Sequence, residues 1–384
     1  MSEKTLKRNG ILAALFLYQY SLLIPVMNYF NPTIVSAISG VIIVIILLIG
    51  NLRSAISTSL IRLFFIIVFI TSVNTLFNSA DLLTVLPFYF YLLPVIVVFL
   101  FRFDYGHFIR CCCYFAVLNF FILFWMPFTR FANYMRFGYG MLPTIIFAYL
   151  LIFRYREEFK LSKIKIFAYA VILFASVFEI VFFGARGSFF AFLLFVVIDR
   201  FLVNREKIIT NALLILAGVI TYLNLVPILG ILKEIVSVFG VKAYAISKLS
   251  TAINKGIIEA SSGRDILYQK AIESIKAHPF MGSGIDVAHG DDYVHNIFLQ
   301  VAQDLGIWAL IPLIIILVKI LWILIKKTGI GKDEKAILEV LFAISMGRLM
   351  FSSTLWRRPE FWMMICFYYC ITRATKKSVH RGEK

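Results

Sequence analysis

Long apolar stretches recur along the whole 384-residue chain and constrain its fold more than any other feature. A bilayer crossing takes about 20 apolar residues, and a spanning segment that satisfies its own backbone hydrogen bonds is a helix. The sequence therefore predicts an all-α polytopic membrane protein with about twelve transmembrane helices, forming a single domain over residues 1–384. The predicted spans are 10–30, 33–50, 61–77, 82–101, 108–128, 138–153, 164–183, 187–203, 208–230, 295–325, 335–352 and 359–373.

Positive charge is distributed unevenly between the two sides of this predicted bundle. With the N-terminus inside, 24 of the 38 Lys and Arg residues fall in cytosolic segments and six fall in the short outer loops. The positive-inside rule then predicts that both termini are cytosolic. The net charge of +17 follows from membrane topology, so membrane lipids, and no nucleic acid, are the expected neighbours.

The basic residues of the short outer loops share one property, because all six are arginines. The planar guanidinium fork suits phosphate, whereas the ammonium group of Lys acts as a point charge. As a set they indicate an anion site, and anchoring at the level of the lipid headgroups is the alternative for each one. These residues are Arg130, Arg136, Arg186, Arg348, Arg357 and Arg358.

The long segment 231–294 is predicted to be an external loop with short amphipathic helices. Apolar residues at helical spacing alternate with lysines over 241–258, which is typical of a helix that lies on the outer leaflet. A second helix is predicted to open at Arg264 and to run to about Ala277, before a proline. Arg264 would then lie at a helix N-terminus, where backbone N–H groups favour anions.

Turn-forming and polar residues fill the rest of this loop. Gly282 and Gly284 lie in a tight turn where the backbone is able to approach a ligand closely. The polar residues that follow form a solvated loop, a catalytic cluster or a metal site, and no His-Glu-x-x-His pattern supports zinc. They are Asp286, His289, Asp291, Asp292 and Tyr293.

His295 stands where the loop enters the next predicted span. Residues 295, 302, 303 and 306 share one face of a helix, so a small, polar stripe is predicted to face the protein interior. A buried structural histidine is one interpretation. The other is a general base that prepares an acceptor hydroxyl, since imidazole titrates near neutral pH. Asn296 would orient the imidazole or bind sugar.

Four motifs together resemble the O-antigen polymerase and O-antigen ligase superfamily of bacterial envelope glycosyltransferases. The likeness covers residues 180–325, and the motifs are Arg186-Gly-Ser, Ser-Gly-Arg at 262–264, Pro279 followed by Gly282-x-Gly284, and His295-Asn296 with Gly306. The resemblance implies a GT-C-like fold in the bacterial inner membrane that acts at the periplasmic face. It also implies an undecaprenyl-pyrophosphate-linked glycan donor, no metal or other cofactor, and a chain-length regulator protein as a partner.

The same resemblance assigns roles to individual residues. Arg186 and Arg264 would hold the pyrophosphate leaving group, and His295 would assist the acceptor. The remaining candidate residues are predicted to bind substrate: Arg136, Arg348, Asn296, Gly282, Gly284, Asp291 and Asp292.

Polymerase and ligase are separated by one position. The ligase pattern has Gly, Thr or Tyr three residues after the motif glycine, and this chain has Ala309 there. The sequence therefore favours a polymerase that transfers the growing chain to a new lipid-linked repeat unit. A ligase that transfers the chain to lipid A-core is the alternative. A flippase for the same glycan is the hypothesis from another class, although its polar residues would be expected to line both halves near the midplane.

Overall fold

The computed structural model describes residues 1–52, 58–78, 82–129, 133–204, 264–285, 293–326 and 329–382, together with residues 230, 231 and 234. Every regular element in these ranges is helical, and they contain no strand. The α-helices are α1 Glu3–Leu22, α2 Ile24–Met27, α3 Pro32–Gly50, α4 Thr58–Phe77, α5 Leu82–Leu100, α6 Tyr105–Leu123, α7 Tyr134–Leu150, α8 Lys163–Phe182, α9 Arg186–Val197, α10 Arg264–Ala277, α11 Ile297–Leu305, α12 Leu310–Ile325, α13 Lys332–Leu349 and α14 Pro359–Gly382.

Within the described residues, six helical segments are long and apolar enough to cross a membrane, by length and composition. They are Glu3–Met27, Thr58–Phe77, Tyr105–Phe128, Tyr134–Tyr155, Lys163–Phe182 and Ile307–Ile325, with two shorter apolar helices at Ile34–Gly50 and Phe88–Leu100. The described chain is thus a helical protein with membrane-spanning character, as the apolar stretches predict. The count of twelve spans stays a prediction, and the predicted span 208–230 lies almost wholly outside the described residues.

Helix α4 shows the surface expected of a lipid-facing helix. Its side chains Phe65, Ile66 and Phe69 are each more than half exposed in the isolated chain. A continuous exposed apolar surface of this kind is unfavourable in water and favourable against lipid tails.

The chain divides into two compact units. The first unit contains residues 1–19, 33–111 and 263–384, and the second contains residues 20–32 and 112–262. At the centre of the first unit lies α13, whose residues Ala336–Leu349 are all buried. It packs against α14, which packs against α5. Burial inside the protein explains how α13 carries Glu339 and Arg348 within an otherwise apolar helix.

The second unit is built around α7. Residues Phe137–Leu150 of this helix are all buried, and α7 packs against both α8 and α9. Asn119 of α6 donates hydrogen bonds to the Gly140 carbonyl oxygen and to the Thr144 hydroxyl, each at 2.9 Å. A polar side chain buried between helices in this way sets their relative register.

The predicted continuous span 295–325 is wrong, because two helices occupy that stretch. Helix α11 ends at Leu305, Gly306 adopts φ 90°, and α12 begins at Leu310. The break is stabilised from outside the stretch, since the Ile307 N–H donates to the Pro279 carbonyl oxygen at 2.9 Å. The candidate span therefore begins at Ile307. By contrast, the helix predicted from Arg264 to about Ala277 is confirmed as α10.

Candidate functional site

The candidate site of the first unit is centred on residues 348–360, which connect α13 to α14 and are called the arginine segment below. Arg348 Nη1 lies 2.8 Å from Glu360 Oε1, and both side chains are largely buried. Arg358 donates to the Ser353 hydroxyl, and Arg357 precedes it in a short 3₁₀ turn. A buried ion pair holds its two partners in one geometry, so the Arg348–Glu360 pair fastens the two ends of the segment together.

Arg264, the first residue of α10, is attached to the arginine segment. Its Nη2 donates to the Phe351 carbonyl oxygen at 2.6 Å. A guanidinium has five N–H donors in a fixed plane, so one bond of this kind orients the fork and leaves its remaining donors to serve a ligand. Arg264 thereby adds a fourth arginine to a segment that already carries Arg348, Arg357 and Arg358.

Tyr293 attaches the residues before α11 to the same segment. Its hydroxyl donates to the Ser352 carbonyl oxygen at 3.1 Å, next to the Phe351 carbonyl that Arg264 uses. The ring of Tyr293 meets the His295 ring edge to face, with 4.4 Å between centroids. The structure thus brings Arg264, His295 and the arginine segment together through Tyr293 and two consecutive backbone carbonyls.

The position of His295 on a helical face is a second prediction that the structure corrects. Helix α11 begins at Ile297, so His295 lies before the helix and is only half-buried. Its φ of 55° is uncommon for a residue with a side chain, and such positions persist where the surroundings hold them. Ala302 and Gln303 do face the interior, as the stripe predicted.

Asn296 has a structural contact in addition to its predicted role. Its side-chain oxygen accepts hydrogen bonds from the backbone N–H groups of Phe298 at 3.0 Å and Leu299 at 3.2 Å. This is an N-cap, which is typically worth about 1 kcal/mol to the helix. Asn296 therefore determines where α11 begins and, with it, where His295 is held.

A buried polar network beneath the site was not predicted. Asn74 of α4 donates to the carbonyl oxygens of Met281 at 2.8 Å and Asp304 at 3.0 Å. The Trp356 indole N–H donates to Asp304 Oδ2 at 2.6 Å, and the Leu355 N–H donates to Gln300 Oε1 at 3.0 Å. The network joins α11 to the arginine segment. Its one signal in the sequence is Asp304, a carboxylate inside an apolar stretch.

Gly282 and Gly306 allow two backbone segments to approach each other. Their φ values are 67° and 90°, and Gly284 also has a positive φ of 98°. A Cβ atom at Gly282 would collide with the Asp304 carbonyl, and one at Gly306 would collide with the Phe280 carbonyl oxygen. The approach predicted for a ligand at Gly282 is therefore made by the backbone at the end of α11.

We expect Gly306→Ala to unfold the site locally and to lower the stability of the protein by at least ~2 kcal/mol, through positive-φ strain and the collision with Phe280. The measurement is thermal unfolding of the purified protein in detergent. Gly40→Ala is the matched control, because a Cβ there meets its nearest neighbour at 3.7 Å, an ordinary contact. Equal unfolding temperatures for the two variants would contradict the packing role of Gly306.

The second unit contains Arg136 and Arg186, each in the first turn of a helix. Gly138 of α7 packs on the turn before α9, where an added Cβ would lie 2.8 Å from the Ala185 nitrogen. Arg136 Nη1 donates weakly to the Met27 carbonyl oxygen at 3.4 Å. The unit thus places the starts of α7 and α9, with their two arginines, side by side. Arg130, Asp291 and Asp292 lie outside the described residues.

Comparison with known proteins does not assign the chain to a family. No protein-family model, curated protein or solved structure matches the chain. The resemblance to O-antigen polymerases and ligases therefore rests on the motif residues themselves.

Proposed function

We propose that the protein is a membrane glycosyltransferase that polymerises undecaprenyl-pyrophosphate-linked repeat units into O-antigen or a related surface polysaccharide. The observation that supports this proposal best is the attachment of Arg264 and Tyr293 to consecutive carbonyls of the arginine segment, with His295 against Tyr293. Four arginines and one imidazole are thereby assembled in one unit. This combination suits a reaction in which a pyrophosphate leaves and a hydroxyl is deprotonated.

In the proposed reaction the bond between the donor's anomeric carbon and the pyrophosphate oxygen breaks. Negative charge accumulates on the leaving group, and Arg264, with Arg357 and Arg358, stabilises it. Preorganised electrostatic stabilisation of this kind is usually the largest contribution to a rate enhancement. The acceptor hydroxyl oxygen bonds to the anomeric carbon, and its proton passes to His295.

Tyr293 and Asn296 act through His295 in this scheme as positioning residues. Tyr293 packs against the imidazole, and Asn296 caps the helix that follows it. Together they hold His295 in its left-handed backbone conformation, and this fixes the direction of the imidazole ring. A base held in one orientation avoids the loss of rate that accompanies a misplacement of about 1 Å.

The function is tested with the purified protein in liposomes that contain lipid-linked single repeat units. A polymerase converts these units into a ladder of longer lipid-linked chains. A ligase instead transfers preformed chains to added lipid A-core and forms no ladder from single units. A flippase changes the leaflet of the lipid-linked unit without forming a glycosidic bond, and this result would remove the enzyme proposal altogether.

We further propose that the arginine segment faces the periplasm and that both termini are cytosolic, because the charge asymmetry of the short loops favours this orientation. Arg348, the first residue of the arginine segment, comes 16 residues after Lys332 along helix α13, which separates the two by about 24 Å, most of a bilayer's apolar thickness.

Single cysteines at positions 280 and 332 test this orientation in intact spheroplasts. Phe280 is 78% exposed in the same unit as the arginine segment, so Phe280→Cys should react with an impermeant maleimide. Lys332→Cys should react only after permeabilisation. Labelling of position 332 alone from outside would invert the topology.

A further inference from the structure

Three polar side chains in the second unit are buried with hydrogen-bonding capacity that no described residue uses. Asn119 and Ser176 are fully buried, and Glu179 is 3% exposed. Asn119 Oδ1, Ser176 Oγ and both carboxylate oxygens of Glu179 have no hydrogen-bond partner among the residues that the structure describes. Leaving even one buried polar group unsatisfied typically costs a few kcal/mol, and a carboxylate costs more, so these oxygens require an explanation.

Neighbouring contacts place Asn119 and Ser176 at nearly the same depth, with Glu179 one helical turn beyond Ser176. Helices α6 and α7 are antiparallel, because Cys113 Sγ contacts the Phe147 carbonyl oxygen while Asn119 bonds to Gly140. Helix α8 is antiparallel to α7 in turn, since the turn that follows α8 packs on Gly138 at the start of α7. Helices α6 and α8 therefore run in the same direction.

The Tyr169 hydroxyl links these two parallel helices by donating to the Cys113 carbonyl oxygen at 3.0 Å. Asn119 comes six residues after Cys113, and Ser176 comes seven residues after Tyr169. At about 1.5 Å per residue, the two side chains differ in depth by roughly 1.5 Å. Glu179 is one turn further along the buried face that also carries Tyr169 and Ser176.

The unused groups are all oxygens, and this limits what completes the site. The amide nitrogen of Asn119 is already committed to Gly140 and Thr144, so Asn119 presents only Oδ1. An occupant must therefore bring positive charge or hydrogen-bond donors. It must also be small, because residues with exposures of 0% to 3% leave no opening for a sugar.

The lack of hydrogen bonds from the described residues to Glu179 favours an ion over a proton. A proton on Glu179 would need an acceptor within about 2.5–3.0 Å, and the structure shows none. Oxygens that coordinate one cation at about 2.3–2.6 Å lie ~3.4 Å or more apart and make no hydrogen bonds with one another. Asp199, another buried carboxylate of this unit, shows the contrast, because Arg154 lies 3.6 Å from it.

We propose that Asn119, Ser176 and Glu179 form a binding site for a monovalent cation of the size of sodium. One carboxylate balances one positive charge, and no group of three His, Cys, Asp or Glu side chains suited to a divalent ion occurs in the described ranges. The bound cation neutralises the charge of Glu179. This residue lies in the last turn of α8, which is followed by the short connection to Arg186 at the start of α9. Asn119, Ser176 and Glu179 are not among the residues assigned to glycosyl transfer.

The test is the thermal unfolding of the full-length protein in detergent, followed by tryptophan fluorescence. Sodium chloride is titrated against choline chloride and potassium chloride at constant ionic strength. Sodium should raise the unfolding temperature saturably, by about 2–5 °C, because a ligand that binds only the folded state stabilises it by mass action. Potassium and choline should not produce this shift.

Variants locate the effect. Glu179→Gln and Ser176→Ala should abolish or strongly weaken the sodium shift, and Glu158→Gln, an exposed carboxyl of the same unit, should retain it. If Glu179→Gln fails to fold, saturable binding of radioactive sodium to the wild-type protein and its weakening in Ser176→Ala decide the question. An unfolding temperature that responds to pH but not to sodium identifies a proton as the occupant and overturns the proposal. A response to neither indicates buried water and also overturns it.

Discussion

His295→Ala is expected to lower the rate of chain polymerisation by about 10²- to 10⁴-fold while the protein remains folded and inserted in the membrane. Removal of a general base typically has an effect of this size. The half-buried position of His295 before α11 predicts little loss of stability, because the cap of that helix belongs to Asn296. The measurement is ladder formation from lipid-linked repeat units at equal protein yield.

His278→Ala is the matched control for this experiment. His278 follows α10 in the same unit and is exposed, so its loss should leave polymerisation unchanged. In a cell that lacks the native enzyme, a polymerase with His295→Ala would give lipopolysaccharide that carries a single repeat unit on its core. A ligase variant would leave no O-antigen on the core and would retain long chains on the carrier lipid. Wild-type banding from His295→Ala would exclude the residue from the mechanism.

Tyr293→Phe separates positioning from chemistry. It removes the hydrogen bond to the Ser352 carbonyl oxygen and keeps the ring that packs on His295. A loss of one neutral hydrogen bond amounts to about 0.5–1.5 kcal/mol, so we expect a decrease in rate of roughly 2- to 13-fold. An effect as large as that of His295→Ala would instead place Tyr293 among the reacting groups.

Arg264→Lys is expected to lose most of the activity although it conserves the charge. The substitution replaces a planar fork, oriented by the Phe351 carbonyl oxygen, with a flexible point charge. A charge-assisted hydrogen bond contributes about 1.5–3 kcal/mol, which corresponds to roughly a 10- to 150-fold loss in kcat/KM. The assay is the same liposome polymerisation, with substrate concentration varied.

Arg186→Lys in the second unit should show a loss of the same kind if its predicted contact with the pyrophosphate is correct. Arg156→Lys serves as the control for both variants, because Arg156 is exposed and lies outside the candidate sites. Normal ladders from both Arg264→Lys and Arg186→Lys at equal expression would reduce these arginines to anchors at the lipid headgroups.

Helix positions were predictable because the forces that specify them are local. Apolar length and intrasegment hydrogen bonding explain the spanning segments, and the proline after Ala277 explains the end of α10. The same local reasoning placed Arg264 and Tyr293 in one predicted external loop, with His295 at the end of that loop. It also predicted the arginines of the outer loops as a set, including Arg357 and Arg358.

The arrangement of the site required contacts that no local pattern contains. Asn74 and Asp304 are 230 residues apart, yet their hydrogen bond helps to hold α11 in place. The end of α11 depends in the same way on Pro279 and Phe280, whose carbonyl groups meet the backbone at residues 306 and 307. The apolar periodicity of the sequence alone predicts a helix that continues through Gly306.

The sequence by itself determined an α-helical chain with membrane-spanning segments and a set of arginines near one histidine. Only the tertiary structure decided that His295 lies outside its helix and that Arg264 is attached to the arginine segment. It also decided that Gly282 and Gly306 serve backbone packing. The physical reason is that composition and periodicity act over one or two helical turns, whereas these positions follow from hydrogen bonds and close approaches between segments distant in the chain.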